Sequence, residues 1–424
     1  MLLSKLKSAA FVVIIIYLFC FVGKCPAQSG DTGNEICSDP NIKTILLYKT
    51  GQDLSMPVIS FNDGETLHLD FDYLDKAADN YNYSVVNYMY NWVINTISEN
   101  LYLDGFNNYP INNYRSSLNT TRPYTHYSAE IPDEYLKFLS SGNYILKIYK
   151  NSNPEDVVFT KRFCIMENLV EIKSTINRTD DNNQELQLIV DLANLNLTNP
   201  LAEIKIVVLK NYDWYNSIPI KSSPLLRDNK LFLDLPWQIM SPGGNEFRYF
   251  DTKNTKYESE RVNSIEFRNP YYYFILKPDK LRQFTPYFSS KDLNGRYYID
   301  APNATNRQEE ADYVYVDFTL EAAQPFGTNV YIYGALTNYK TNESNFMNYD
   351  IQKGVYTKEL LLKQGYYDYS YATKDFNNKN LAFDLTEGNH SETENDFLVF
   401  VYLRKSMSEI DRLIGFKIIN TVLP

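Results

Sequence analysis

Period-two alternation of apolar and polar residues recurs through most of the chain, and sustained helical periodicity is scarce. Leu67, Leu69, Phe71 and Tyr73 alternate with His68, Asp70 and Asp72. Leu186, Leu188, Val190 and Leu192 repeat the pattern, as do Ile204, Ile206 and Val208. Val314, Val316, Phe318 and Leu320 alternate with Tyr313, Tyr315, Asp317 and Thr319, and Phe397 to Arg404 reads as another strand. Turn residues such as Asn62-Asp63-Gly64 and Ser141-Gly142-Asn143 separate the runs at short spacing. The pattern predicts an all-β chain of three linked β-sandwich, immunoglobulin-like domains. The aromatic content agrees: 37 Tyr and 24 Phe bring the aromatic share to 15%, and aromatics favour strands. One short helix is expected over Pro132–Leu139, because Pro is tolerated in a first helical turn.

Residues 1–27 read as a secretory signal peptide. Lys5 and Lys7 precede an apolar stretch from Ala9 to Val22, and Cys25-Pro26-Ala27 supplies small residues for cleavage. Cleavage there yields a product that starts at Gln28; an uncleaved anchor is the alternative. No other apolar run is long enough to span a bilayer. Composition shifts divide the rest into 28–167, 168–304 and 305–424, each large enough for its own core. Beyond the first 27 residues only Cys37 and Cys164 remain. In an oxidising compartment they could form a disulfide pinning the N-terminal tail to the end of the first domain, or stay as two thiols.

Charge and motifs narrow the function. The net charge is −11, which repels nucleic acid and anionic lipid heads. There is no nucleophile elbow, P-loop, zinc-protease helix or dinucleotide fingerprint. The three histidines, His68, His126 and His390, are too few and too scattered for a metal or catalytic centre. No catalytic residue, cofactor or metal is expected. The informative stretch is Tyr81 to Tyr127, too long for a hairpin loop and too aromatic for an idle one. Tyr and Trp bury large area at low entropic cost and are enriched in interfaces. A partner surface built from Trp92, Phe106, Tyr114, Tyr124 and His126 is therefore expected. The plainer reading is that these aromatics close the first domain's core, Trp92 above all, with Phe106 and Tyr114 exposed among Gly, Asn and Arg.

The run from Trp92 to Tyr127 resembles the signature of a Bacteroidetes family, the plug proteins of the type IX secretion system. Further matching motifs follow in order. They are Asn211-Tyr212-Asp213-Trp214, Gly243-Gly244-Asn245-Glu246-Phe247-Arg248-Tyr249-Phe250-Asp251, Glu310-Ala311-Asp312-Tyr313-Val314, Leu361-Leu362-Lys363-Gln364-Gly365-Tyr366-Tyr367, Glu387 to Asp396, and Asp411-Arg412-Leu413-Ile414-Gly415. Asn91, Tyr88 and Asn113 depart from the family pattern, which has an aspartate, a cysteine and an acid at or near these places. Such losses are mild for an interface. The resemblance implies a non-catalytic periplasmic protein that docks on the giant outer-membrane β-barrel of the translocon and closes its periplasmic mouth when no substrate is engaged. Val330 to Tyr339 and Gly365 to Tyr369 more weakly resemble starch- or glycogen-binding sandwiches. A carbohydrate-binding protein is thus the alternative, although Tyr339 stands where those modules carry tryptophan.

N-terminal sequencing of the protein from its host should begin at Gln28. A start at Met1 in the cytoplasmic fraction would remove both the compartment and the plug reading.

Overall fold

The computed structural model describes residues 33–74, 77–375, 381–406 and 409–422, so the signal-peptide span 1–27 lies outside the described residues. Among the described residues nearly all regular structure is strand, and the two α-helical segments, Pro200–Glu203 and Arg307–Glu310, are single turns. The all-β expectation holds.

Leu67–Leu74 pairs antiparallel with Ile42–Lys49 on one side and Tyr124–Ile131 on the other, and Asn113–Ser116 forms the far edge. Its alternation sends Leu67, Leu69, Phe71 and Tyr73 into a core shared with Tyr81, Tyr83, Tyr144, Phe159 and Phe163. Phe71 stacks on Tyr127 with ring centroids 4.8 Å apart, a favoured aromatic geometry.

The sheet behind this core extends beyond the first sandwich. It has eight strands: seven run from Tyr109–Pro110 through Tyr81–Tyr88, Gly142–Lys150 and Val157–Met166 to Arg412–Asn420, Asp396–Leu403 and Ile204–Lys210, and Val58–Ser60 pairs parallel with the end of Val157–Met166. The join is parallel at Met166 and Leu413, reinforced by Glu167 N–H donating to the Leu413 carbonyl at 2.8 Å. Beyond the join, Val399, Val401 and Leu403 pack against Leu186, Leu188 and Val190 of a five-stranded sheet. A third sandwich sets Val314, Val316, Phe318 and Leu320 against Phe250, Tyr367, Tyr369 and Tyr371.

Three expectations need correction. The divisions at 168 and 305 do not follow the hydrogen-bonded sheets. Arg248–Asp251, Val262–Arg268, Tyr271–Leu276 and Tyr297–Ile299 belong to the sheets of the third sandwich. The C-terminal pair, Asp396–Leu403 and Arg412–Asn420, instead bridges the first and middle ones. Asp396–Leu403 is buried at every position; a strand apolar on both faces needs cover on both, and the junction supplies it. Pro132–Leu139 is not a helix. Asp133 Oδ1 accepts from the Tyr135 and Leu136 N–H groups at 2.9 Å, forming a turn, and Lys137–Phe138 then pairs with Leu103–Asp104. Cys37 and Cys164 are both free. Cys37 faces Phe159 on the strand that carries Cys164, so the sulfurs are separated by five strand positions, about 17 Å at ~3.3 Å per residue, beyond disulfide reach.

The polar face of Leu67–Leu74 is not solvated. Residues of the third sandwich cover it and complete a buried ion cluster. Asp72 accepts from Tyr313 Oη at 2.7 Å, Lys363 Nζ at 2.6 Å and His126 Nδ1 at 2.7 Å. Asp72 and Lys363 side chains are each 1% exposed. Asp70 accepts from Tyr48 Oη at 2.6 Å and Gln308 Nε2 at 3.1 Å, and both His68 and His126 stand beside it. The segment around 305, expected as a domain boundary, is a clamp: Tyr124 Oη donates to the Gln308 and Ala311 carbonyls at 3.0 and 2.9 Å.

The cluster ties stability to pH. The hydrogen bond to Asp70 raises the His68 pKa to about 9, against the opposing effect of burial. Burial works against the charge of His126, but its bonds to Asp70 and Asp72 outweigh this and raise its pKa too. A folded pKa above the unfolded value, about 6.5, contributes stability that is complete below that value and lost as pH rises through the folded pKa. Denaturant unfolding should therefore show stability falling between about pH 6.5 and about pH 9. His68→Gln should flatten that decline; an unchanged slope would separate His68 from it.

Candidate functional site

The excursion after Tyr81–Tyr88 contains two kinds of aromatic. Trp92 turns inward: it is 8% exposed, and its backbone N–H donates to the Met89 carbonyl at 2.9 Å. The Arg162 guanidinium lies 4.5 Å from the centroid of its ring, and Trp214 meets it edge-on at 5.1 Å. Arg162 also donates to the Gly33 and Trp214 carbonyls at 2.9 and 3.1 Å. Trp92 is thus a joint between the first and middle sandwiches. Tyr124 and His126 are buried as well. Lys363 Nζ sits 4.2 Å from the Tyr124 ring centroid, and burial, followed by the Asp72 charge, pushes the Tyr124 phenol up. Three of the five expected partner residues therefore serve contacts within the chain.

Phe106 and Tyr114 face outward. Tyr114 is 51% exposed on the edge strand Asn113–Ser116, its ring 5.7 Å from that of Tyr127. Phe106 is 79% exposed, on a loop held in place from both sides. Asn107 Nδ2 donates to the Val85 carbonyl at 2.8 Å, and its Oδ1 accepts from the Val85 N–H at 2.9 Å. The side chain thereby imitates a paired strand. Gly105 has φ +117°, and a Cβ there would lie 2.7 Å from the Tyr135 carbonyl oxygen, so only glycine fits. That close approach sets Phe106 beside Tyr135.

Tyr135, Leu101 and Leu139 are also exposed. They flank the two-stranded ribbon of Leu103–Asp104 and Lys137–Phe138, with Leu139 N–H donating to the Tyr102 carbonyl at 2.9 Å. Leu103 and Phe138 of the ribbon are buried and Asp104 and Lys137 face outward, so the exposed apolar side chains here are the flanking Leu101, Phe106, Tyr135 and Leu139; others, Phe284 and Phe288 among them, stand elsewhere on the surface. Sequence reasoning found Phe106 through its Gly and Asn flanks and missed Tyr135 by assigning 132–139 to a helix. Asp133, spaced to cap a turn, was the available signal.

Other candidate positions have different roles. Tyr339 is 9% exposed and packs edge-on against Tyr333 at 5.7 Å, so no open ring platform exists at the site expected for sugar. In the acidic segment Glu387 to Asp396, Glu387 is buried. Burial works to raise its pKa, but Arg248 and Arg282 hold it down to about 2. Arg248 also donates to Asp279 at 2.9 Å, making a second internal ion cluster. Among the described residues no group of three or more His, Cys, Asp or Glu side chains is placed to hold a metal ion. No helix among them is long and apolar enough to cross a membrane.

By class this is an all-β protein of stacked sheets whose first sandwich exposes Phe106, Tyr114 and Tyr135. Residues 42–167, the stretch that includes this ribbon, match the family model described as type 9 secretion system plug protein 1st domain. The match supports the type IX secretion plug family and with it a secretion-associated plug role; this is not a known enzyme family. The chain is also similar to the crystal structure of a hypothetical protein from Parabacteroides merdae ATCC 43184. The TM-score is 0.87 at 29% identity, over 91% of this chain and 98% of that one. No curated protein matches.

Two substitutions separate the aromatic classes. Trp92→Ala should cost about 3–5 kcal/mol, the range for deleting a buried aromatic, whereas Phe106→Ala should stay within about 0.5 kcal/mol. Chemical denaturation measures both, and similar losses would contradict the division.

Proposed function

We propose that the protein docks on the periplasmic mouth of the very large outer-membrane β-barrel of the type IX translocon and closes it when no substrate is engaged. The observation that carries this reading is the pair of exposed aromatics that flank the two-stranded ribbon, Phe106 and Tyr135, on the sandwich that matches the plug family. A few aromatics in a well-supported setting carry most of the energy of an interface. Asn107 and Gly105 supply that support, so little ordering is left to oppose binding. Closing a wide mouth also requires breadth without internal give. The shared eight-stranded sheet and the Asp72 cluster join the sandwiches with hydrogen bonds and buried charge. The compartment follows from the same reading: a periplasmic protein delivered by its signal peptide, with the translocon barrel as partner.

The test is affinity purification from the native host with quantification of the co-purifying barrel. The double variant Phe106→Ala, Tyr135→Ala should bind at least about tenfold more weakly, a loss of ~1.4 kcal/mol or more, with an unchanged melting temperature. Recovery of no large barrel with the parent protein would remove the plug reading. Full binding by the double variant would move the interface elsewhere, with Tyr114 the next position to substitute.

A further inference from the structure

Two strand edges in this molecule face each other without a strand between them. Ile42–Lys49 pairs with Leu67–Leu74 on one side and with no strand on the other among the described residues. Val355–Lys363 pairs with Tyr313–Glu321 along its whole length. On its other side Asn348–Asp350 covers only Val355, Tyr356 and Thr357. From Lys358 to Lys363 that side has no strand partner among the described residues. Residues 42–45 of the first strand and 359–363 of the second line one cavity of about 490 Å³. Cys37 and Glu359, both exposed, also line it, so the cavity reaches the surface as a groove. An unpaired edge offers a row of N–H and C=O groups to an incoming chain, and an extended peptide can satisfy them by adding a strand. The edge at 358–363 is regular. The opposite one bulges between Lys43 and Leu46, with Thr44 at φ 50°, and so is the less suitable of the two for pairing.

The charge of the groove is uneven. Three lysines line it: Lys43, Lys340 and Lys363. Lys363 is engaged by Asp72. Lys340 Nζ donates to the Glu35 backbone carbonyl, and neither Lys340 nor Lys43 has a carboxylate at ion-pair distance among the described residues. Burial lowers the pKa of both lysines, as expected for cations removed from water without full compensation. Of the acids at the groove, Asp39 pairs with Lys150 at 3.4 Å, whereas Glu359 is exposed and stands across from a second carboxylate, Asp317, on the neighbouring strand. The groove thus sets two lysines without a carboxylate at ion-pair distance, Lys43 and Lys340, against one exposed acid, on a chain whose net charge is −11.

We propose that this groove takes an extended, acidic polypeptide segment, which adds a strand to the open edge of Val355–Lys363 and sets its carboxylates against Lys43 and Lys340. The edge supplies main-chain affinity, and the two lysines select for acid and against base. The proposal uses residues other than Phe106 and Tyr135, so it stands or falls separately from docking on the translocon.

The test is fluorescence anisotropy on the full chain with a labelled peptide of alternating Glu and Val, about six residues long, the common strand length. Binding should be saturable and weaken as salt rises. Lys43→Glu, with an unchanged melting temperature, should weaken it by about tenfold or more. N-methylation of the peptide along one edge should also abolish binding, whereas replacing Glu with Lys should prevent it from the outset. Absence of saturable binding would overturn the proposal, as would binding indifferent to Lys43→Glu or to N-methylation. Sedimentation supplies the remaining outcome: a dimer of the parent chain that Lys43→Glu dissolves would assign the groove to a second copy and overturn it as well.

Discussion

Asp72 is buried at the meeting point of strands that are distant in sequence, and the arrangement of the first and third sandwiches depends on its charge being met. Its neighbours come from three places: His126 on the adjacent strand, Tyr313 at the start of one third-sandwich strand, and Lys363 at the end of another. A carboxylate removed from water in this way is costly unless its oxygens are fully used. Separating the sandwiches would leave Asp72, Lys363 and His126 to be resolvated or stranded one by one. The cluster thus favours a single relative placement over many near alternatives. Burial pulls the Lys363 pKa down while Asp72 works in the opposite direction, and the directness of their contact is what makes the pair tolerable inside the protein.

The second joint relies on continuity of the backbone. The C-terminal pair of strands closes the gap between the first and middle sandwiches, making one eight-stranded sheet serve two cores. Arg162, Trp92 and Trp214 fill the corner beside it. A guanidinium over an aromatic face keeps much of its favourable environment without bulk water. One joint is ionic and the other is a sheet with a cation–π corner. Together they tie all three sandwiches to one another through backbone hydrogen bonds and buried charge.

The two surfaces proposed for partners differ in chemistry. Phe106 and Tyr135 are exposed aromatics beside the ribbon, in a loop held by Asn107. The groove between Ile42–Lys49 and Val355–Lys363 is lined by Lys43 and Lys340 and bordered by strand edges without a strand partner among the described residues. The ribbon lies wholly within the stretch matching the plug family, whereas the groove exists only once the first and third sandwiches are together.

The alternation of Val314, Val316, Phe318 and Leu320 determined a strand and its buried face, because side-chain direction in a strand depends on position alone. The exposure of Phe106 was legible for a related reason: Gly105 and Asn107 are residues that shape a tight, projecting loop. Local pattern did not carry the roles of His68, Asp70 and Asp72. They read as a solvated face, and their cover arrives from residues as distant as Tyr313 and Lys363, 241 and 291 positions from Asp72. Tyr124 and His126 read as interface residues for the same reason: polar aromatics suit an external partner and an internal one equally well. The apolar run from Phe397 to Leu403 read as a strand, but nothing beside it in sequence could name the neighbours that cover both of its faces. The sequence by itself determined which residues are strands and which face of each is apolar, since those follow from short-range geometry. Only the tertiary structure decided which polar faces are buried, because desolvation depends on what packs against a group and not on the residues beside it.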